Sequence, residues 1–129
     1  MEAYEFLDVE AALVSHIKSV CRVAASTMVP NPKPVEHVQV IRVGGTADMI
    51  SDRPMVTFFV SAGSWPNASS LAGLVRRRVM SMDRIGTPEV PVYRVIEIGG
   101  PARAPDPVTG DPRYQFTVEF KLRGSKASD

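Results

Sequence analysis

Cysteine occurs once in this chain of 129 residues, at Cys21, so no internal disulfide can form and no zinc ribbon or finger can be built. Histidine occurs twice, at His16 and His37, and neither belongs to an HExxH-type helix, so neither a metal nor another cofactor is expected. Net charge is almost absent, with 15 Lys+Arg against 14 Asp+Glu, which argues against bulk attraction to nucleic acid. The one charge-free run, Pro54 to Val75, is nominally long enough to cross a bilayer. It holds Ser61, Ser64, Pro66, Asn67, Ser69 and Ser70, and its first part alternates with period two, so it reads as a strand, a turn and a helix start. Met1 to Glu10 carries four acids and no base, the reverse of a secretory or mitochondrial presequence, and the chain is expected to stay where it is made. Glycine and proline are in surplus, at 20 of 129 residues, against an average of about 12%.

At 44% hydrophobic and 22% charged, the composition is that of a globular domain, and the length suits one domain spanning 1–129. A chain of this size buries roughly two-thirds of its unfolded surface, enough for a hydrophobic core to stabilise it alone. Residues 1–7 and 124–129 read as flexible ends.

Asp8 is positioned as an N-cap. Beyond it Val9, Leu13, Ile17, Val20 and Ala24 share one helical face. Pro30, Pro32 and Pro34 then stiffen an extended segment. Val38 to Val43 reads as a strand leaving into a turn at Gly44-Gly45, followed by a loop from Thr46 to Arg53. Met55 to Ala62 alternates as a strand with one buried face, and a second helix starts around Ser64 to Asn67 with Leu71, Leu74, Val75, Val79 and Met82 on one side. Val92 to Ile98 is a third strand, closed by Gly99-Gly100 and a loop through Pro112. The last strand is the clearest: Tyr114, Phe116, Val118, Phe120 and Leu122 alternate with polar residues from Arg113 to Arg123.

The halves echo one another. Val40-Ile41-Arg42-Val43-Gly44-Gly45 matches Val95-Ile96-Glu97-Ile98-Gly99-Gly100 at a constant offset, each followed by a proline-bounded loop and an alternating strand. The bland alternative is coincidence, since β-branched runs ending in Gly-Gly are common. A repeat predicts an α+β single domain of αββαββ order, with a four-stranded, mainly antiparallel sheet and two helices packed on one face.

Catalytic groups are sparse. His16 falls in the apolar arc of the first helix, where a hydrogen-bonded structural role is expected; His37 opens a strand beside Glu36 and Gln39, where exposure is expected. Cys21 on the apolar side of a helix reads as packing. Neither Gly-Gly pair has phosphate-loop spacing. Arg76, Arg77 and Arg78 form the one basic run, and three adjacent helical positions fan over about 200°, which is a solvated surface rather than a stripe. Arg78 lies inside the apolar arc and is expected to reach the sheet rim or a carboxylate, within the subunit or across an interface.

Other features favour contact over catalysis. Phe59 lies on the less apolar face of its strand, and Trp65 stands where the second helix begins. The two loops exceed a simple hairpin connection and carry Asp48, Asp52 and Arg53 in the first and Arg103, Asp106 and Asp111 in the second. With the arginine run, these form the candidate interface set for a subunit or partner. Residues 1–64 hold 5 bases and 7 acids, and residues 65–129 hold 10 bases and 7 acids, which makes the halves weakly complementary.

Val40 to Gly45 with Asp52-Arg53-Pro54, then Ala68, Leu71, Ala72 and Val75, then Gly99-Gly100-Pro101 through Asp106-Pro107 and Thr109-Gly110 to Arg113–Val118, resemble the tail terminator proteins of bacteriophages with long non-contractile tails, especially those infecting actinobacteria. The likeness runs from about Asp8 to Arg123, nearly the whole chain. The resemblance implies a small subunit without catalytic activity or cofactor, made in the host bacterial cytoplasm and resident in the virion at the head-proximal end of the tail. It implies a homohexameric ring that stops tube polymerisation and meets the tail tube protein, the head-tail connector or neck proteins and, in some arrangements, the tape measure protein. DNA would pass through the lumen without sequence-specific binding, and no membrane is involved. The rival readings are a head-completion, neck or tube protein of the same junction and, from another class, a monomeric nucleic-acid-binding module.

Overall fold

The computed structural model describes residues 4–5, 8–47, 51–86, 92–123 and 125–126. Its elements run β1 (Tyr4–Glu5), α1 (Val9–Cys21), β2 (Ala24–Ser26), β3 (His37–Ala47), β4 (Ser51–Ser61), α2 (Trp65–Met80), β5 (Val92–Arg103), β6 (Arg113–Arg123) and β7 (Ser125–Lys126). The larger sheet has strand order β2-β3-β4-β6-β5, and β1 pairs with β7 in a separate two-stranded ladder. The molecule is α+β as expected, but the sheet has five strands rather than four and is mixed, because β2 runs parallel to β3. β2 is three residues of Ala-Ala-Ser, too short and too weakly patterned to announce a strand. It claims Ala24, which the helical periodicity had assigned to the first helix; that helix stops at Cys21, where Arg22 takes a left-handed conformation (φ 52) as C-cap. Within the ends expected to be flexible, residues 4–5 and 125–126 pair antiparallel.

Both helices begin where capping chemistry placed them. The Asp8 carboxylate accepts from the Ala11 amide at 3.2 Å, and the Ser64 hydroxyl accepts from the Asn67 amide at 3.2 Å, with Pro66 inside the first turn. α1 lies against β2 and β3, α2 lies against β4, β5 and β6, and the helices touch each other, so both cover one face of the sheet. The core between the layers joins Val9, Leu13 and Ile17 of α1 and Leu71, Val75 and Val79 of α2 to the inward side chains of the strands. Register aligns these in rows: Val40 is opposite Phe58, Phe58 opposite Phe116, and Phe120 opposite Val95. The Phe58 and Phe116 rings stack at 4.9 Å.

The Gly-Gly pairs do not end their strands. β3 continues through Ala47 and β5 through Arg103, and each passes its pair by a register shift, between Arg42 and Gly44 in one and between Glu97 and Gly99 in the other. The shifts fall at matching positions of the echoed segment, so the sequence repeat is matched by a backbone repeat. Two hairpins, β3-β4 and β5-β6, meet along their second strands, β4 against β6. The long loop expected at Thr46 to Arg53 is therefore mostly hairpin ladder, while the second loop shortens to 104–112.

Candidate functional site

Five of the candidate contact residues gather at the end of the sheet where β4 and β5 finish and β6 begins. Trp65 meets Tyr114 edge-on at 5.7 Å, and the Arg103 guanidinium lies 4.5 Å above the Trp65 ring. Phe59 is covered by the Arg113 guanidinium at 4.3 Å, while Arg113 Nε donates to the Ala104 carbonyl at 2.7 Å. Both aromatics are thus topped by a cation from the β5-β6 hairpin. Asp106 and Asp111 flank Lys33, whose Nζ is 3.7 Å from Asp106 Oδ2 and 3.1 Å from Asp111 Oδ2. That ion-pair group ties the proline segment after β2 to the loop after β5.

The loop orders itself as well. Asp106 Oδ1 accepts from the amides of Val108 and Thr109, and the Gly110 amide donates to the Asp106 carbonyl. Those two amides, then Lys33, hold the Asp106 carboxyl below its ordinary range; Lys33 and the Thr109 hydroxyl do the same for Asp111. Beside Lys33 a cleft of about 230 Å³ is bounded by Pro34, Val35, Ala62, Gly63 and Asp111, below the range of small-molecule sites, roughly 300–1,000 Å³.

His37 is the main correction at this end. Expected to be exposed, it is 1% exposed, opposite Ser61 on β4 and Ala24 on β2. The unrecognised β2 is what encloses it. Its Nε2 lies 2.7 Å from Ser26 Oγ, and the Ser26 hydroxyl donates to the Met28 carbonyl. The imidazole therefore donates to the serine, the reverse of an activated nucleophile. Burial, then the Lys33 charge, lowers the His37 pKa, so the ring is held neutral. Among the described residues no three acidic, histidine or cysteine side chains converge as metal ligands would, and no helix is long and apolar enough to cross a membrane.

The opposite end holds Asp52 and Arg53; Asp48 lies outside the described residues. Asp52 is 2% exposed and accepts two bonds from Arg42, each 3.0 Å, so it is a structural partner rather than a free contact. Arg53 is exposed and without a carboxylate partner among the described residues. Along α2, Arg76 makes a two-pronged pair with Glu97 of β5, Nη2 to Oε2 at 2.9 Å, and this holds the Glu97 carboxyl below its ordinary range. Arg77 and Arg78 are exposed. Arg78 stands close enough to Cys21 to oppose the upward pKa shift that burial imposes on that thiol, rather than at a carboxylate. Sequence reasoning missed Lys33, Arg42, Glu97 and Arg113; their charged partners and the Phe59 ring under Arg113 lie ten or more residues away, and only the backbone contacts of Arg42 with Gly44 and of Arg113 with Ala104 are nearer, so no local spacing signals them.

No protein-family model matches this chain, and no curated protein matches it.

Proposed function

We propose that the chain is a virion structural subunit of the tail-terminator kind: a ring on the head-proximal end of a phage tail tube that halts tube polymerisation and offers its far side to neck or connector proteins. The observation that carries this reading is the Lys33–Asp106–Asp111 group, with the two cation-capped aromatics beside it. Together they hold two exposed, proline-bounded segments in one conformation. Segments ordered in advance lose little entropy on docking, which serves a protein contact. The resemblance along Asp8 to Arg123 supplies the assembly. Its homohexameric ring would be closed by heterologous contacts, one patch of each subunit meeting a different patch of the next.

The test is to add the purified protein to growing tail tubes and view them by negative-stain microscopy. Rings on one tube end, with growth arrested there, are expected. Continued growth at the uncapped rate, with no rings, would overturn the reading and leave a neck role as the alternative.

A further inference from the structure

The formal charge of +1 conceals an uneven division of labour. Glu10, Asp52, Asp83, Glu97, Asp106 and Asp111 each accept a hydrogen bond or ion pair from within the chain. Several bases have no such partner among the described residues. Two of them face each other: Asp52 is opposite Leu122 and Met55 opposite Glu119, so the ladder sets Arg53 opposite Lys121. On the other side of β6, Lys121 is opposite Arg94. Three cations thus stand side by side on adjacent strands, about 4.8 Å apart per step, on the sheet face that the helices leave open or at its β5 edge.

Like charges directly opposite one another destabilise a sheet, so this row is not explained by folding. Among the described residues the nearest carboxylates relieve it only at Arg94. Asp52 points to the other face and is committed to Arg42. Asp83 engages Arg94 through Nε alone, at 3.2 Å, and otherwise accepts from the Val95 amide. Glu119 lies one step inward, between Met55 and Ile96, and confines an anionic ligand to the row.

We infer that the Arg53–Lys121–Arg94 row binds the phosphodiester backbone of a nucleic acid. The row is a flat comb of point charges on a face where, beyond Glu119, the next pair inward is Thr57 and Thr117, whose hydroxyls bond each other at 2.7 Å. An acidic protein partner would be held chiefly by an anchor in a pocket, and the cleft beside Lys33 lies at the opposite end of the sheet. A phosphodiester chain needs none, because it offers one charge per step to side chains that position it without reading sequence. Two or three phosphates are engaged per subunit. The inference stands apart from tube capping, since it concerns the isolated chain; a ring would multiply the same contact.

The test is fluorescence anisotropy of a labelled DNA duplex titrated with the full-length protein across a salt series. Weak binding is expected, with the logarithm of affinity falling against log salt at a slope of about −2 to −3. Arg53→Glu with Lys121→Glu should lower affinity at least about tenfold and flatten that slope; Arg77→Glu with Arg78→Glu should leave both nearly unchanged. Arg53→Gln with Lys121→Gln should also weaken binding while keeping or raising the melting temperature, which separates lost binding from lost folding. No binding at low salt, equal losses from the helix variants, or preference for a polyglutamate peptide of equal charge over the duplex would overturn the inference. Each of those results would leave the tube-capping experiment standing.

Discussion

The two hairpins carry the same backbone device and use it differently. In both, the chain leaves register at the same point of the Val-Ile-x-(Val/Ile)-Gly-Gly segment. Outward amides on the two flanking strands are stopped by a carboxylate, Glu10 on the Arg42 amide at 3.0 Å and Asp83 on the Val95 amide at 2.7 Å, which blunts edges that would otherwise recruit another strand. The charge at the irregularity then diverges. Arg42 turns to a carboxylate that is 2% exposed, whereas the matching Glu97 turns to Arg76 with both side chains about one-third exposed. Backbone repetition therefore does not carry energetic equivalence with it: the first hairpin is locked from within, and the second is pinned at its surface.

The largest break in that parallel is expected at the second glycine of each pair. A Cβ on Gly45, whose φ is +109°, would lie 2.1 Å from the Arg53 carbonyl oxygen, while one on Gly100 would meet nothing nearer than a Glu97 oxygen at 3.9 Å. Gly45→Ala should cost about 3 kcal/mol or more, and Gly100→Ala should be close to neutral by urea denaturation. Next comes Asp52→Ala, which strands Arg42 at a partly buried position and should cost about 2–3 kcal/mol, somewhat less than a fully buried pair.

Acid sharpens the comparison. His37, in the first half, has a lowered pKa, so the unfolded chain takes up its proton first. Its stabilising contribution is whole above about pH 6.5 and is lost as pH falls toward the lower folded value. Asp83, Glu97, Asp106 and Asp111, in the second half, are also lowered, chiefly by the Val95 amide, by Arg76, by the Val108 and Thr109 amides and by Lys33 respectively. Their contribution is lost only below about pH 4. Melting temperature should thus fall in two stages, and His37→Gln should remove the first. The smallest effect is Glu97→Ala, which opens an exposed pair; its change in melting temperature should be barely measurable and should vanish in high salt.

Much of this architecture was legible because it is local. Asp8 and Ser64 announce their helices through capping, and the alternation from Arg113 to Leu122 fixes which face of β6 is buried. β2 was not legible, since Ala24 to Ser26 has neither periodicity nor β-branched side chains, and its absence from the reading is why His37 looked exposed. The Gly-Gly pairs read in sequence as turns at strand ends, whereas both strands continue past them, because a ladder that resumes beyond a register shift leaves the same mark in sequence as a turn. Phe59, Trp65, Arg103, Asp106 and Asp111 do come together at one end of the sheet. Lys33 and Arg113, which organise them, carry no local signal because their roles arise only once the hairpins have folded.

Tail length measures the central claim most directly. Virions or tails assembled with and without this protein should be compared by electron microscopy. Capping predicts tubes of one length, closed by a ring, when the protein is present, and overlong tubes when it is absent. Tubes of normal length in its absence would contradict it.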